Sequence, residues 1–268
     1  MKLAGSCILV TGAGGGIGRC VSLELARRGA RLALAGRDMP RLQSLADGIR
    51  ASGGTAICCK VDLARAAGHA DLIKLVAQTL GGLDALVNNA GVSRFAAFAG
   101  DTPHAIRELI DVNVTGTLLL TQAALPHFLS QNAGSVVIVG SILGSIGFPH
   151  FAAYSASKFA LRGFAEALRR ELLDTGVRVS YVAPRATDTG MNPSPVRELF
   201  AETGSAMDTP AAAAAHIVAA LETDGRETYI GWPERFFVRL NGLLPRVVDF
   251  ALRGQNRVAE RIARQTGR

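Results

Sequence analysis

Short apolar runs rich in β-branched residues alternate along the chain with longer stretches of helical period, and this alternation leaves few folds open. The runs near 6–11, 31–36, 55–61, 84–88, 134–140, 177–183 and 227–231 read as strands. Helical stretches near 16–28, 39–51, 65–80, 102–130, 152–174 and 210–222 fill most of the intervals. A strand, a helix of about ten residues or more and a second strand form a right-handed crossover between parallel neighbours. The strands are nearly continuous in apolar residues, as required when helices cover both faces of a sheet. The expectation is an α/β fold: a doubly wound parallel sheet of about seven strands with helices on both faces. A chain of 268 residues, 49% hydrophobic and 19% charged, can bury such a core and has no composition of disorder. Only 184–209 and the C-terminal tail read as irregular.

The first strand runs directly into Thr11-Gly12-Ala13-Gly14-Gly15-Gly16-Ile17-Gly18, with five glycines in seven positions, and then into the first helix. Glycine at such a junction permits a tight turn, close approach of backbone to a pyrophosphate and close packing of helix on strand. The helix N-terminus presents unpaired N–H groups and a positive dipole end to the phosphates. Gly12, Gly14, Gly15, Gly16, Ile17 and Gly18 are therefore the first candidate cofactor-binding residues. An ordinary flexible turn needs no such concentration of glycine.

The spacing Thr-Gly-x-x-x-Gly-Ile-Gly resembles that of the short-chain dehydrogenase/reductase family, in its compact single-domain branch with a Rossmann-like fold. Further matches follow in order: Asp62 in Val61-Asp62-Leu63, Asn89 in Asn88-Asn89-Ala90-Gly91, Asn113 in Asn113-Val114-Thr115-Gly116, Ser141, and Tyr154-Ser155-Ala156-Ser157-Lys158 as the family's YxxxK. They span residues 6 to 189, about 70% of the chain. Singly, Asp62 reads as a helix cap, Asn113 as a buried amide and Ser141 as a strand-end hydroxyl. Their order and spacing together point to a site. The resemblance implies an oxidoreductase acting on an alcohol, ketone or aldehyde. It places Asp62 and Leu63 at the adenine, Asn89 near the adenine ribose, and Thr189 at the nicotinamide carboxamide. Asn113, Ser141, Tyr154 and Lys158 would form the catalytic set, with Tyr154 and Lys158 also binding cofactor.

The chemistry expected of that set follows from spacing and charge. Tyr154 and Lys158 are four apart on a helix and share a face. A phenol ionises near pH 10, so a nearby ammonium and a positive nicotinamide ring are expected to lower its pKa. A lowering of about two units corresponds to about 2.7 kcal/mol. By resemblance, Tyr154 gives or takes the proton, Ser141 hydrogen-bonds the substrate oxygen, Lys158 also holds the nicotinamide ribose, and Asn113 organises a proton-relaying water.

Cofactor choice is read at the end of the second strand, Leu32-Ala33-Leu34-Ala35-Gly36-Arg37-Asp38. Members that prefer NAD place an acid where Gly36 stands, to bind the ribose 2′-hydroxyl. Here Arg37 follows instead, suited to a 2′-phosphate. The expectation is NADP, with NAD the lesser alternative; Asp38 could cap the next helix or reach the ribose.

Two segments depart from the family pattern. Arg185 follows Pro184 where glycine is usual, which brings a positive group towards the cleft. The tail from Arg235 carries eight arginines against Asp249 and Glu260, most of the net charge of +7. Positions 236, 240, 243, 244, 247 and 251 are apolar at helical spacing, with Arg235, Arg239, Arg246 and Arg253 expected on the opposite face. Gly242 and Pro245 would kink that helix. Residues 1–232 are thus expected to form the dinucleotide-binding catalytic domain, with 233–268 a basic amphipathic extension packed on it. The extension could cover the cleft, pair with another subunit as a homodimer or homotetramer, or touch an anionic membrane.

Cys7, Cys20, Cys58 and Cys59 show no metal-ligand spacing; three of them lie in apolar strand-like runs and read as small hydrophobes, in a reducing, cytoplasmic setting. The N-terminus is too quickly interrupted by glycine for a signal peptide, and no spanning helix is expected. The first 234 residues give no sign of nucleic-acid binding. Phe, Ile and Ala around 92–100 and 143–152 suggest a small apolar substrate, with 190–209 as a lid. Two alternatives remain beside this reading: a sugar-nucleotide epimerase or dehydratase, and a catalytically silent dinucleotide-sensing or membrane-docking protein.

Overall fold

The computed structural model describes residues 1–65, 67–223 and 225–266. Ala66, inside the helix expected over 65–80, and Arg268 of the basic tail lie outside them. In chain order the elements begin β1 Cys7–Thr11, α1 Gly16–Arg27, β2 Arg31–Gly36, α2 Met39–Ala51, β3 Thr55–Lys60, α3 His69–Leu80 and β4 Ala85–Asn88. They continue with α4 Pro103–Ile110, α5 Gly116–Ser130, β5 Gly134–Val139, α6 Ala152–Glu171, β6 Val177–Ala183, α7 Ser194–Glu202, α8 Pro210–Glu222 and β7 Glu227–Tyr229. The chain closes with α9 Glu234–Leu243, α10 Pro245–Ala251 and α11 Arg253–Thr266.

All strands are parallel, in the order β3-β2-β1-β4-β5-β6-β7. The doubly wound parallel sheet expected from the alternation of runs is the observed architecture. Inward residues sort into two cores. Leu9, Leu86, Val136 and Ile138 pack with Leu72, Leu120, Phe128 and Leu161 of α3, α5 and α6 on one face. Ile8, Val10, Leu34 and Val87 pack with Val21, Leu42, Ile217 and Leu221 of α1, α2 and α8 on the other.

Three segments differ from expectation. The helix expected over 102–130 widens at Asp111–Thr115 into a π-turn between α4 and α5. The region 184–209 contains a helix, α7, whose Val196 and Leu199 are buried. Its base is closed where Asp208 N–H donates to Ala186 O (2.8 Å) and Asp188 N–H to Asp208 O (2.9 Å).

The tail breaks into three helices, at Leu244 just before Pro245 and again at Leu252, while Gly242 stays inside α9. Its apolar residues do not face inward as the expected stripe requires. Val238 and Val248 enter the core, with Leu240 and Leu252 against it, whereas Phe236, Leu243, Leu244, Val247 and Ala251 are exposed beside Arg235, Arg239, Arg246 and Arg253. The reason is the break: Pro245 starts a new helix in a new register, so a stripe counted through it does not stay on one face.

Candidate active site

The strand order reverses between β1 and β4, and ligands of open α/β sheets sit in the crevice at such a point. Here Thr11 Oγ1 accepts from the N–H groups of Asn89 and Ala90, each at 3.0 Å. Asn89 Nδ2 donates to Thr11 O at 3.0 Å and Gly12 O at 3.4 Å, tying β4 to the glycine loop. Gly12 has φ +64°, and a Cβ there would lie 2.9 Å from Ala90 Cα, so the turn requires glycine. A Cβ on Gly16 would lie 2.7 Å from Thr189 Cγ2, which brings Thr189 to the mouth of α1. No side chain caps α1, so its first-turn N–H groups are open to a phosphate. Glycine loop, Asn89 and Thr189 thus fit a dinucleotide.

At the end of β2, Asp38 caps α2: its carboxylate accepts from Arg41 N–H (3.1 Å) and pairs with Arg41 Nε (3.0 Å). Of the two roles open to Asp38, the cap is the one observed. Arg37 is exposed and has no hydrogen bond or ion pair among the described residues. A side chain at Gly36 would meet only Leu42 methyls, at 3.7 Å and beyond. A Cβ at this position is therefore in ordinary contact, and space at the backbone does not by itself require glycine. Asp62 accepts from Ala64 N–H (3.2 Å) and faces Arg65 Nε at 3.7 Å, while Leu63 is buried against α5.

The π-turn carries Asn113 into the interior, where it is fully buried. Its Oδ1 accepts from Val92 N–H (2.8 Å), and its Nδ2 donates to Val92 O (2.9 Å) and Ser157 Oγ (3.0 Å). A Cβ on Gly91 would lie 3.2 Å from Asn113 Oδ1 and 3.6 Å from Lys158 Nζ, so the loop after β4 runs directly over both. Lys158 is buried and donates to Val139 O (3.1 Å). Its Nζ lies 5.7 Å from the centroid of the Tyr154 ring. Ser141, ending β5, hydrogen-bonds Tyr154, and its Oγ accepts from Leu143 N–H (3.1 Å). Asn113, Ser141, Tyr154 and Lys158 therefore meet at the carboxyl ends of β4 and β5.

The expected lowering of the Tyr154 pKa is not supplied by the protein alone. Burial pushes the phenol up to about 12, with the Ser141 hydrogen bond opposing. Burial also pushes Lys158 down to about 8. Removal from water disfavours both charged forms.

Tyr181, absent from the sequence candidates, supports this floor. It is fully buried, its hydroxyl donates to Ser141 O (3.3 Å) and accepts from Ser141 N–H (3.4 Å), and burial raises its pKa. A Cβ on Gly140 would collide with its ring. The signal was a lone glycine before Ser141, with nothing to name its partner. Beside Tyr154, the buried Phe151, Val196, Leu199, Ala259 and Ile262 form an apolar wall that includes α7 and α11. Arg185 is not in the cleft as a free charge. It pairs with Asp208 (2.6 Å) and Glu234 (3.4 Å), and those carboxylates raise its pKa, Asp208 most.

A family model described as short chain dehydrogenase matches residues 6–198. An uncharacterized oxidoreductase of Myxococcus xanthus is 42% identical over 176 residues, 66% of this chain and 70% of that protein. Another, of Listeria innocua, is 32% identical over 191 residues, 70% of this chain and 77% of that protein. A short chain dehydrogenase from Burkholderia cenocepacia, solved in complex with NADP, is similar with a TM-score of 0.79 and 30% identity, covering 88% of this chain and all of that one. A short chain dehydrogenase/reductase from Burkholderia phymatum, solved in complex with NAD, shares the fold at a TM-score of 0.84 and 24% identity, over 90% of this chain and 94% of that one.

Proposed function

The chain belongs to the short-chain dehydrogenase family, and from that premise we propose that this oxidoreductase interconverts an apolar ketone or aldehyde and its alcohol with NADP(H). The observation that carries the proposal is Tyr154 hydrogen-bonded to Ser141 beside buried Lys158, at the carboxyl ends of the sheet. NADPH, when bound, supplies the hydride. Gly12, Gly14, Gly15, Gly16, Ile17, Gly18, Asp62, Leu63, Asn89 and Thr189 would hold the cofactor with Tyr154 and Lys158, and exposed Arg37 would meet its 2′-phosphate. The neighbour solved with NADP supports that choice.

With its proton held to about pH 12, Tyr154 is the acid form at neutral pH, suited to protonating a developing alkoxide. Ser141 donates a hydrogen bond to the same oxygen as charge develops on it. Lys158 stabilises the resulting phenolate, and Asn113 holds the loop at Val92 and Ser157 of α6 in register around it. The apolar wall of Phe151, Val196 and Leu199 supports an apolar substrate. Residues 1–232 act as the catalytic unit, with 233–268 an extension packed on it.

The test is NADPH oxidation across a panel of aromatic, steroidal and long-chain ketones and aldehydes, with Tyr154→Phe as control. Turnover lost in the variant supports the assignment. Turnover retained there overturns it, and preference for NADH overturns the cofactor choice.

A further inference from the structure

We propose that α9 and α10 form a docking surface for the anionic headgroup region of a phospholipid membrane. Between Trp232 and Phe250 the chain exposes a run of large apolar side chains: Trp232 is 74%, Leu243 80% and Phe250 68% exposed, with Phe236, Leu244 and Val247 also open. Three of the aromatic rings adjoin in sequence, with Trp232 and Phe236 centroids 6.3 Å apart and Phe236 and Phe237 5.7 Å apart. Large exposed apolar clusters of this kind mark interaction surfaces.

Three observations select the occupant. Arg235, Arg239, Arg246 and Arg253 are exposed among these apolar residues, and Asp249 is the one acid between 235 and 253. Glu234, just before them, is held by Arg185. The surface is thus apolar with a positive rim, complementary to buried acyl chains beneath anionic phosphates. A second copy of this chain on a two-fold axis would set the same arginines against themselves, which repels. Nor do the exposed apolar side chains wall the active site. That wall is closed by Val196 and Leu199 of α7 with Ala259 and Ile262 of α11, while α9 and α10 turn Val238 and Val248 into the core, with Leu240 against it, and Asn241 donates to Ser145 O (2.9 Å). Of the charged residues, Asp249 and Arg253 also border a cavity with Phe148 and Ala152. No helix among the described residues is long and apolar enough to cross a membrane, so the contact is interfacial.

Trp232 is the chain's single tryptophan and sits on the surface in question, so its emission reports on this site alone. The experiment adds the full chain to phosphatidylcholine vesicles, with and without phosphatidylglycerol, at low and high salt, and follows emission and flotation. The expected result is a blue shift and flotation with phosphatidylglycerol vesicles, both diminished by salt. Arg239→Gln and Arg246→Gln each weaken binding about fivefold, equivalent to about 1 kcal/mol. The double variant L243S/F250S abolishes flotation while its NADPH oxidation rate stays that of the parent. Absence of a blue shift in the parent chain overturns the proposal whatever the variants do. So does equal binding to both vesicle types, or a blue shift that follows protein concentration without vesicles, which identifies a second copy as the occupant.

Discussion

The carboxyl ends of β4 and β5 bury polar side chains and hydrogen-bond nearly all of their polar atoms, Asn88 Oδ1 excepted, whereas α9 and α10 leave most of their large apolar side chains exposed. Asn113 spends both ends of its amide on Val92 and Ser157, and Lys158 spends its ammonium on Val139 O. In the tail, Val238 and Val248 are the anchors and the aromatic residues face outward. A buried polar group left unpaired costs about 1–3 kcal/mol, so the first region tolerates few residue types and few spacings. An exposed apolar group meets no such demand from the fold. Chemistry is written in the interior of this molecule, and association on its outside.

Substitutions can break or sharpen that contrast. The largest effect is expected at the site itself: Tyr154→Phe lowers kcat about a thousandfold with NADPH affinity nearly unchanged, read by steady-state kinetics and fluorescence titration. A proportional loss of cofactor binding would mean that the hydroxyl holds the fold instead of the proton. Next comes packing. Leu161, 2% exposed under the sheet, is expected to lose about 2–5 kcal/mol as Leu161→Ala, whereas Leu243→Ala, at 80% exposure, loses under about 0.5 kcal/mol in urea unfolding. Equal losses would erase the distinction between the two regions.

The third test uses pH. The Lys158 pKa falls from 10.5 in its ordinary state to about 8 in the fold, so between those values the unfolded chain holds the proton and the folded one has released it. Stability conferred at this position therefore rises with pH across that window and is lowest below about 8, where the buried ammonium is charged. Tyr154 acts in the opposite sense from 10 to about 12. Lys158→Met is expected to remove the rise between pH 8 and 10 relative to the parent chain. An unchanged slope would show that Lys158 stays charged, with a partner the fold does not supply. The smallest effect is at Arg37, where Arg37→Ser weakens NADPH about tenfold, close to 1.4 kcal/mol, and leaves NADH alone.

The fold and the meeting of Ser141, Tyr154 and Lys158 were legible because periodicity and fixed spacing encode them locally. Strand limits at 31–36 and 177–183 agree with β2 and β6. What was not legible depends on residues far apart in sequence. Tyr181 reaches Ser141 across 40 positions, and no local pattern distinguishes it from an ordinary strand tyrosine. The tail failed for the opposite reason: its pattern was clear, but counting through Leu244 and Pro245 assumed one helix where there are two. The direction of the Tyr154 pKa failed because spacing places a cation nearby without showing how deeply both groups are buried.

Arg185 stands where the family usually has glycine, and one guanidinium there fastens two excursions of the chain. Asp208 is where the segment carrying α7 returns to the body of the protein, and Glu234 is where the tail departs from it. With both carboxylates on the same cation, neither root can swing away without loosening the other's grip. The residue works as a shared rivet, pinning the return of the α7 segment and the start of the tail to one point of the fold.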